Sequence, residues 1–409
     1  MNTCQRSQST LTDKSGNVVI PVSNPKANFL AHRKEIAGAI TDTCLSGRYL
    51  CGEQVRLFEQ EFAAHVGCRY GIGVASGTDA LILALRALGL PQYTTVLTNG
   101  LSASATAAAI VEAGYVPRFV DMSVPFMTLN VDQLVAPISV KSEDAKPIVL
   151  LPVHLYGYPE EINFLAALAE MDHVYLIEDC AQAHGALHEA KMVGSFGAMG
   201  CFSFYPTKNL SCLGDGGMIV TDSEDLRGRL LSLREYGWKL RGRSERPGRA
   251  SRLDEIQAAI LRVKLRYLDS ENARRKAIAG CYAEGMWDLP IKLPTVLPMR
   301  DTGLPRRDHV YHQFVVRVQD RVGFRGFLGE RGIETGVHYP WPLHKQPAFE
   351  TGQSLPVVEK FCDQCVSLPM YPELTIDEIN RVIAGVRAYY EQPDRTPECV
   401  DEACDATAS

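Results

Sequence analysis

The chain has 409 residues, a formal net charge of −6, 46% hydrophobic residues and 22% charged ones. This is the composition of an ordinary globular protein, long enough for two or three domains and for a core that needs no disulfide or metal staple. The acidic balance argues against nucleic acid or an anionic membrane surface as the main partner, because both favour a basic surface.

The opening run MNTCQRSQSTLTDKSGN is polar and lacks the apolar centre of a signal peptide. No apolar run approaches the roughly 18 residues needed to cross a bilayer, so a cytoplasmic protein is expected, with residues 1–27 as an N-terminal arm. Strand-like and helical runs then alternate. Residues 70–74 read as a strand, and 78–88 as a helix with Leu81, Leu85 and Leu88 at helical spacing. Residues 102–112 are Ala-rich and helical, and 116–120 are strand-like. The wholly apolar run at 148–153 fits a strand buried on both faces. A helix is expected over 160–170, followed by strands over 174–177, 201–204 and 217–220. Such alternation predicts an α/β fold, a mainly parallel sheet covered by helices, spanning residues 28–269. One long amphipathic helix over 253–269 leads into a smaller C-terminal domain, 270–390, with a strand over 313–318. The acidic stretch 391–409 is expected to be disordered. The twelve cysteines are scattered, which favours free thiols. The C-x-x-C of Cys362 and Cys365 lacks a second pair or a His at ligand spacing, so no metal site is expected.

Three features carry chemistry. Lys208 follows the aromatic run FSFYPT and precedes the Gly-rich turn LGDGG. A Lys at the end of a buried strand is a candidate Schiff-base nucleophile, because burial lowers an ammonium pKa. Asp179 ends an apolar strand, at the sheet edge where α/β proteins bind ligands. A carboxylate there can pair with the protonated nitrogen of a pyridine ring that acts as an electron sink. In Ser76-Gly77-Thr78-Asp79 a strand stops and a helix begins, and the free N–H groups of that helix start can hold a phosphate. Ser203 can add a hydroxyl to the same phosphate. Taken singly, Asp179 also reads as a helix cap and Ser76 as the start of an ordinary capped helix. Phosphate cradle, strand-end acid and strand-end Lys in that order point to pyridoxal phosphate.

Long motifs then identify a resemblance. SGTDALILALRALGL (76–90), VHLYGYP (153–159), EDCAQAHGA (178–186), FSFYPTKNLSCLGDGGMIVT (202–221), SRLDEIQAAILRVKL (251–265) and GVHYPWPLHKQPAF (336–349) resemble, in family order, the DegT/DnrJ/EryC1/StrS sugar aminotransferases. The resemblance runs from about residue 28 to residue 390. It implies the fold of pyridoxal-phosphate-dependent transferases of fold type I, with a three-layer α/β/α large domain and a smaller α+β domain. It further implies that Lys208 carries the cofactor, Asp179 pairs with the pyridine nitrogen, Gln182 hydrogen-bonds the phenolic oxygen, and Gly77, Thr78 and Ser203 bind the phosphate. Arg249, His338 and Tyr339 lie in segments near substrate in relatives. A homodimer with active sites at the interface is implied, as is pyridoxamine phosphate as the intermediate form of the cofactor. The expected reaction moves an amino group from an amino-acid donor, L-glutamate, to a keto sugar, a nucleotide-linked 3-keto-6-deoxyhexose. An aminocyclitol ketone is the alternative acceptor, and lyase or dehydratase chemistry the alternative reaction. Dehydratase relatives carry His where Lys208 stands, and a non-catalytic regulator would be expected to lack Lys208 or Asp179.

Two positions depart from the family. Relatives place an aromatic ring where this chain has Ala103, and that ring stacks on the cofactor. Relatives also have Asn where this chain has Ala250, and that Asn reaches across the dimer to the phosphate. Losing a stacked pair forfeits about 0.5–1.5 kcal/mol, and losing a hydrogen bond to a charged group about 1.5–3 kcal/mol. Together they weaken cofactor binding by about one to three powers of ten. Ala103→Phe is therefore expected to tighten pyridoxal phosphate binding in a titration, and an unchanged affinity would contradict the missing-ring reading.

Overall fold

The computed structural model describes residues 19–124, 126–138, 146–294 and 306–392. Most of the N-terminal arm, and all but the first two residues of the expected disordered tail, lie outside these ranges.

Seven strands form the central sheet: β1 (Tyr70–Val74), β2 (Thr95–Asn99), β3 (Val116–Val120), β4 (Ile148–Leu151), β5 (Val174–Asp179), β6 (Met199–Ser203) and β7 (Gly217–Thr221). Their spatial order is β3-β2-β4-β5-β6-β7-β1. The pairs from β3 to β6 are parallel, whereas β7 runs antiparallel to both β6 and β1. The expectation of a mainly parallel sheet thus holds. The reversal has a local cause: the chain turns straight back from β6 through the 204–216 loop instead of crossing over through a helix, and a direct return gives an antiparallel neighbour.

The strand at 95–99 has no counterpart in the sequence reading, because Thr95, Thr98 and Asn99 interrupt its apolar pattern. Its buried polar side chains are satisfied internally: Thr98 Oγ1 donates to the Leu151 carbonyl at 2.7 Å, and Asn99 Nδ2 donates to Glu160 at 2.7 Å.

Helices cover both faces. On one face lie α1 (Arg33–Ser46), α2 (Glu53–Val66) and α7 (Glu255–Leu265). There Phe58 and Phe62 of α2 pack edge-on against Phe204 and Phe202, with centroids 4.9–5.4 Å apart. The other face carries α3 (Gly77–Ala87), α4 (Ser104–Glu112) and α6 (Glu224–Leu233), whose Leu81, Leu85 and Ile110 bury against Ile72, Ile177 and Ile219. A further helix, α5 (Ile162–Leu168), packs through Ile162 and Leu165 on Leu150 and Leu176 of β4 and β5, the face opposite α3.

The single helix expected over 253–269 is two: α7 stops at Leu265, and α8 (Leu268–Met286) begins after Arg266 and Tyr267. Tertiary contacts hold the break. The Arg266 guanidinium and the Tyr267 hydroxyl both bind the Glu35 carboxylate of α1 at 2.5 Å, and the Tyr267 ring stacks on His32 at 4.0 Å. Beyond α8 a second core gathers Tyr282, Phe314 and Val316, with Phe324 and Leu328 of α9 (Arg321–Glu330) and Val382 and Val386 of α11 (Ile376–Tyr390). Its two strands, β8 (Phe314–Arg317) and β9 (Cys365–Leu368), are antiparallel, and α10 (Pro356–Gln364) leads directly into β9. Ile20 joins this core through a bridge to Ile333.

Glu255, buried at the start of α7, accepts from the backbone N–H groups of Gly52, Gln54 and Val55 at 2.7–3.1 Å. It is a remote cap for α2 and fixes α7 to it. Glu255→Ala would strand three donors and is expected to destabilise the fold by about 3 kcal/mol in urea unfolding. A loss below about 1 kcal/mol would contradict the capping role.

Candidate active site

The register sets the site. Ser203 pairs with Gly217, Val74 with Gly217, and Asp179 with Cys201. The ends of β1, β5 and β6 and the start of β7 therefore meet at one edge of the sheet.

The cradle is built from glycines. A Cβ at Gly77 would lie 2.4 Å from the Ser203 Cβ, and one at Gly217 would lie 2.3 Å from the Ser76 carbonyl oxygen, so neither position admits a side chain. Ser76 caps α3 by accepting from Asp79 N at 3.1 Å. The N–H groups of Gly77 and Thr78, in the first turn of α3, have no carbonyl to bind within the helix. Beside them lies the Ser203 hydroxyl, whose one hydrogen bond among the described residues is a long one of 3.4 Å from Tyr205 N. Donors of this kind at a helix start suit a phosphate.

Asp79, in the same turn, would repel that anion, and it is neutralised. Arg249 Nη1 lies 3.2 Å from one Asp79 oxygen and 2.7 Å from Glu112, while Ser251 Oγ donates to the other Asp79 oxygen at 2.7 Å. The structure thus places Arg249 in an ion-pair cluster behind the cradle.

Asp179 is buried. It accepts from Ala181 N at 3.1 Å and from Thr106 Oγ1 at 3.0 Å, and Ser102 supports Thr106 at 2.8 Å. Among the described residues no Lys or Arg forms an ion pair with it, and burial raises its pKa despite those two donors. A buried carboxylate held by dipoles but lacking a cation suits a protonated pyridine nitrogen.

Lys208 sits half-buried in the loop between β6 and β7, its N–H donating to the Tyr205 carbonyl at 2.9 Å. Its Nζ makes no hydrogen bond among the described residues. Burial lowers its pKa to about 8, and the Asp179 charge opposes that shift. Three imidazoles feel the Lys208 charge, and burial above all pushes their pKa values down, His338 to about 4, His184 to about 3, and His312 as well. They are neutral at pH 7 and leave the ammonium–carboxylate field undisturbed. Neighbouring Asn209 is clamped: its Nδ2 donates to Asn272 of α8 at 2.8 Å and to the Val310 carbonyl at 3.1 Å.

Gln182 is oriented at both ends. Its Oε1 accepts from Tyr156 N at 2.8 Å, and its Nε2 donates to the Tyr339 hydroxyl at 3.1 Å, leaving one Nε2 hydrogen for a ligand. The Tyr156 hydroxyl donates to the His338 carbonyl, and the His338 ring meets Ser367 at 2.8 Å. Lys208, Asp179, Gln182, His338 and Tyr339 thus form one neighbourhood. Ala103 is the half-buried N-cap of α4, and Ala250 is exposed beside its bridge partner Glu235.

Sequence reasoning missed Thr106, Tyr156, His312 and Asn209 as site neighbours. Tyr156 and Asn209 stood inside quoted runs, but only the folded backbone shows where their polar atoms point.

His154, Glu178 and Cys180 bring three ligand-type atoms within 4.8 Å of one another. The His154 and Glu178 atoms are engaged. Glu178 accepts from the N–H groups of Gly194, Phe196 and Gly197, and His154 Nδ1 accepts from Glu160 N, so its Nε2 carries the hydrogen directed at Glu178. This strut holds the ends of β4 and β5 in place. Cys362 and Cys365 are free and buried, and burial raises their thiols to about 12 and about 11, so both are unreactive thiols.

This sheet with this edge constellation is that of a pyridoxal-phosphate-dependent transaminase. Residues 31–387 match the DegT/DnrJ/EryC1/StrS aminotransferase family, to which the chain belongs. It is 40% identical over 385 residues to the dTDP-3-amino-3,4,6-trideoxy-alpha-D-glucose transaminase of Streptomyces venezuelae, covering 92% of this chain and 97% of that one. It is 38% identical over 373 residues to the UDP-N-acetyl-3-dehydro-alpha-D-glucosamine 3-aminotransferase of Acidithiobacillus ferrooxidans, covering 91% and 98%. The crystal structure of S. venezuelae DesV in complex with a ketimine intermediate superposes with a TM-score of 0.84 at 40% identity, covering 91% of this chain and 99% of that one. Pyridoxal phosphate and its pyridoxamine form are the cofactor of the family, and the glycine cradle, the cation-free Asp179 and the unpaired Lys208 fit it.

A Lys208 amine of pKa about 8 is the nucleophile only when neutral. Capture of pyridoxal phosphate by the cofactor-free protein is therefore expected to accelerate with pH, reach half its maximum near that pKa and level off above it. Asp179→Asn removes the charge that raises the Lys208 pKa and is expected to shift the midpoint down. An upward shift, or a rate independent of pH, would contradict the assignment.

Proposed function

We propose that this enzyme moves an amino group from L-glutamate to a nucleotide-linked 3-keto-6-deoxyhexose, in the synthesis of amino sugars for natural products or surface polysaccharides. The observation that carries this reading is the pairing of Lys208, its pKa lowered to about 8, with a buried Asp179 that forms no ion pair with a Lys or Arg among the described residues. The names borne by the relatives support the sugar class.

Pyridoxal phosphate supplies the electron sink that makes the amino acid's α-proton removable. The chain's residues do the rest. The N–H groups of Gly77 and Thr78 and the Ser203 hydroxyl bind the phosphate, with Arg249 cancelling the Asp79 charge behind them. Asp179 accepts from the pyridine N–H and keeps that nitrogen protonated. Gln182 turns its free Nε2 hydrogen to the phenolic oxygen and holds the Tyr339 hydroxyl beside it. Lys208 would take the proton from the substrate α-carbon as general base and then deliver a proton as general acid. At neutral pH part of its population is the free amine, as a base requires. His338 and Tyr339 face the sugar.

The enzyme works in the cytoplasm as a homodimer, with the polypeptide divided near residue 269 into the cofactor domain and the smaller one. Support for the dimer comes from the exposure of the large side chains Tyr49, Leu50, Tyr205, Leu213 and Tyr236, of which Tyr205 and Leu213 lie in the loop that carries Lys208. Exposed large apolar and aromatic side chains, where they cluster, mark an interface.

Incubation with L-glutamate is expected to release 2-oxoglutarate stoichiometrically with the enzyme, and a dTDP-linked 3-keto-6-deoxyhexose added next to leave aminated. Lys208→Ala is expected to slow the first half-reaction by at least about a hundredfold. Amination of a cyclitol ketone in preference to the nucleotide sugar, or glutamate turnover without an acceptor product, would contradict the proposal.

A further inference from the structure

We propose that the indole of Trp341 stacks on the nucleobase of the sugar nucleotide at the rim of the Lys208 site. The inference rests on the nucleotide-sugar reading above and names the residue that would read the nucleotide's flat end.

Trp341 is 71% exposed, while Leu343 and His344, two and three residues on, are fully buried. An exposed indole is common on a mobile loop, but this turn is fixed. Leu343 N donates to the Gly100 carbonyl at 2.9 Å, and Gln346 Nε2 donates to the Trp341 carbonyl at 3.2 Å. Gln346 Oε1 in turn accepts from Ser104 Oγ at 3.1 Å, and the His344 ring meets Glu359 at 3.0 Å. Pro340 and Pro342 flank the indole and restrict the backbone on either side. The turn thus lies over the loop that begins α4, beside Ala103 and one helical turn from the Thr106 that holds Asp179.

On its other side the turn runs straight into the site. Tyr339, two residues before Trp341, is bonded to Gln182 at 3.1 Å. His338, three residues before it, feels the Lys208 charge. Three residues span at most roughly 11 Å of chain, so the indole stands one short segment from the reacting centre. A sugar nucleotide must place its keto carbon at Lys208, and its diphosphate and base then project outward past His338 and Tyr339. Tyr339 and Gln182 are bonded to each other in the inner part of the site, and the indole is the exposed ring on the segment that continues outward from them. Its π-face accepts any nucleobase, because every base has one. Trp341 would therefore supply affinity for the nucleotide without choosing between thymidine and uridine.

The test uses the cofactor-loaded protein titrated calorimetrically with thymidine diphosphate, uridine diphosphate and inorganic pyrophosphate. Sedimentation reports the oligomeric state. Trp341→Ala is expected to weaken both nucleoside diphosphates about tenfold, leave pyrophosphate affinity as it was, and keep the wild-type assembly. Trp341→Phe is expected to retain affinity within about threefold, because a ring remains. Unchanged nucleoside diphosphate binding, or an equal loss for pyrophosphate, would overturn the stacking role. Dissociation of the wild-type oligomer by Trp341→Ala would overturn it too, placing the indole in a subunit contact. In the wild-type protein, 2-oxoglutarate release without any nucleoside diphosphate binding would sink this inference and leave the transaminase intact. Base stacking without glutamate turnover would sink the transaminase reading alone.

Discussion

A carboxylate buried without a cation is the constraint around which the site is organised. An ion removed from water costs several kcal/mol unless its charge is met, and among the described residues Asp179 accepts hydrogen bonds from one backbone N–H and one hydroxyl. That deficit favours a ligand bearing a positive charge. The same charge tempers the loss of basicity that burial imposes on Lys208. Acid and amine are therefore tuned by one arrangement, in which the carboxylate keeps the amine basic enough to carry a proton and burial keeps it acidic enough to release one near neutral pH.

The sheet makes that arrangement rigid. Asp179 is the last residue of β5, and both its backbone groups are held by the segment that continues β4: Pro152 O accepts from its N–H at 2.9 Å, and its own carbonyl accepts from His154 N at 3.1 Å. Behind it, Glu178 points to the opposite face of the strand and anchors the 194–197 turn through three N–H donors. Alternation along a strand thus assigns two adjacent carboxylates to different tasks: Glu178 satisfies backbone, while Asp179 faces the ligand edge. The antiparallel entry of β7 contributes the third wall, because it brings Gly217 against Ser76 where any side chain would block the phosphate cradle.

Much of this was legible in the sequence, because the chemistry sits where strands end and those ends are marked by residue type. An apolar run closing on Glu-Asp, a strand breaking at Ser-Gly-Thr, and a Lys before a Gly-rich turn are local signals. The motifs around Lys208, Asp179 and Gly77 placed each on the edge where the structure brings them together. What stayed hidden depends on contacts between distant segments. β2 is polar in pattern because its Thr98 and Asn99 bond to β4 and Glu160. The helix break at Arg266 and Tyr267 is set by Glu35, more than two hundred residues away. Thr106 supports Asp179 across seventy-three positions, and no spacing rule announces it. The ion pairs of Arg249 with Asp79 and Glu112 were likewise hidden, because only the packing of α3 against α4 brings those acids together.

The most direct measurement is the nitrogen-15 chemical shift of ring-labelled pyridoxal phosphate bound to the wild-type protein and to Asp179→Asn. If Asp179 acts as the counter-charge that its burial implies, the ring nitrogen carries a proton at neutral pH in the wild type and loses it in the variant. A ring nitrogen unprotonated in the wild type, or protonated equally in both, would contradict the role assigned to the buried carboxylate and with it the electron-sink chemistry built upon it.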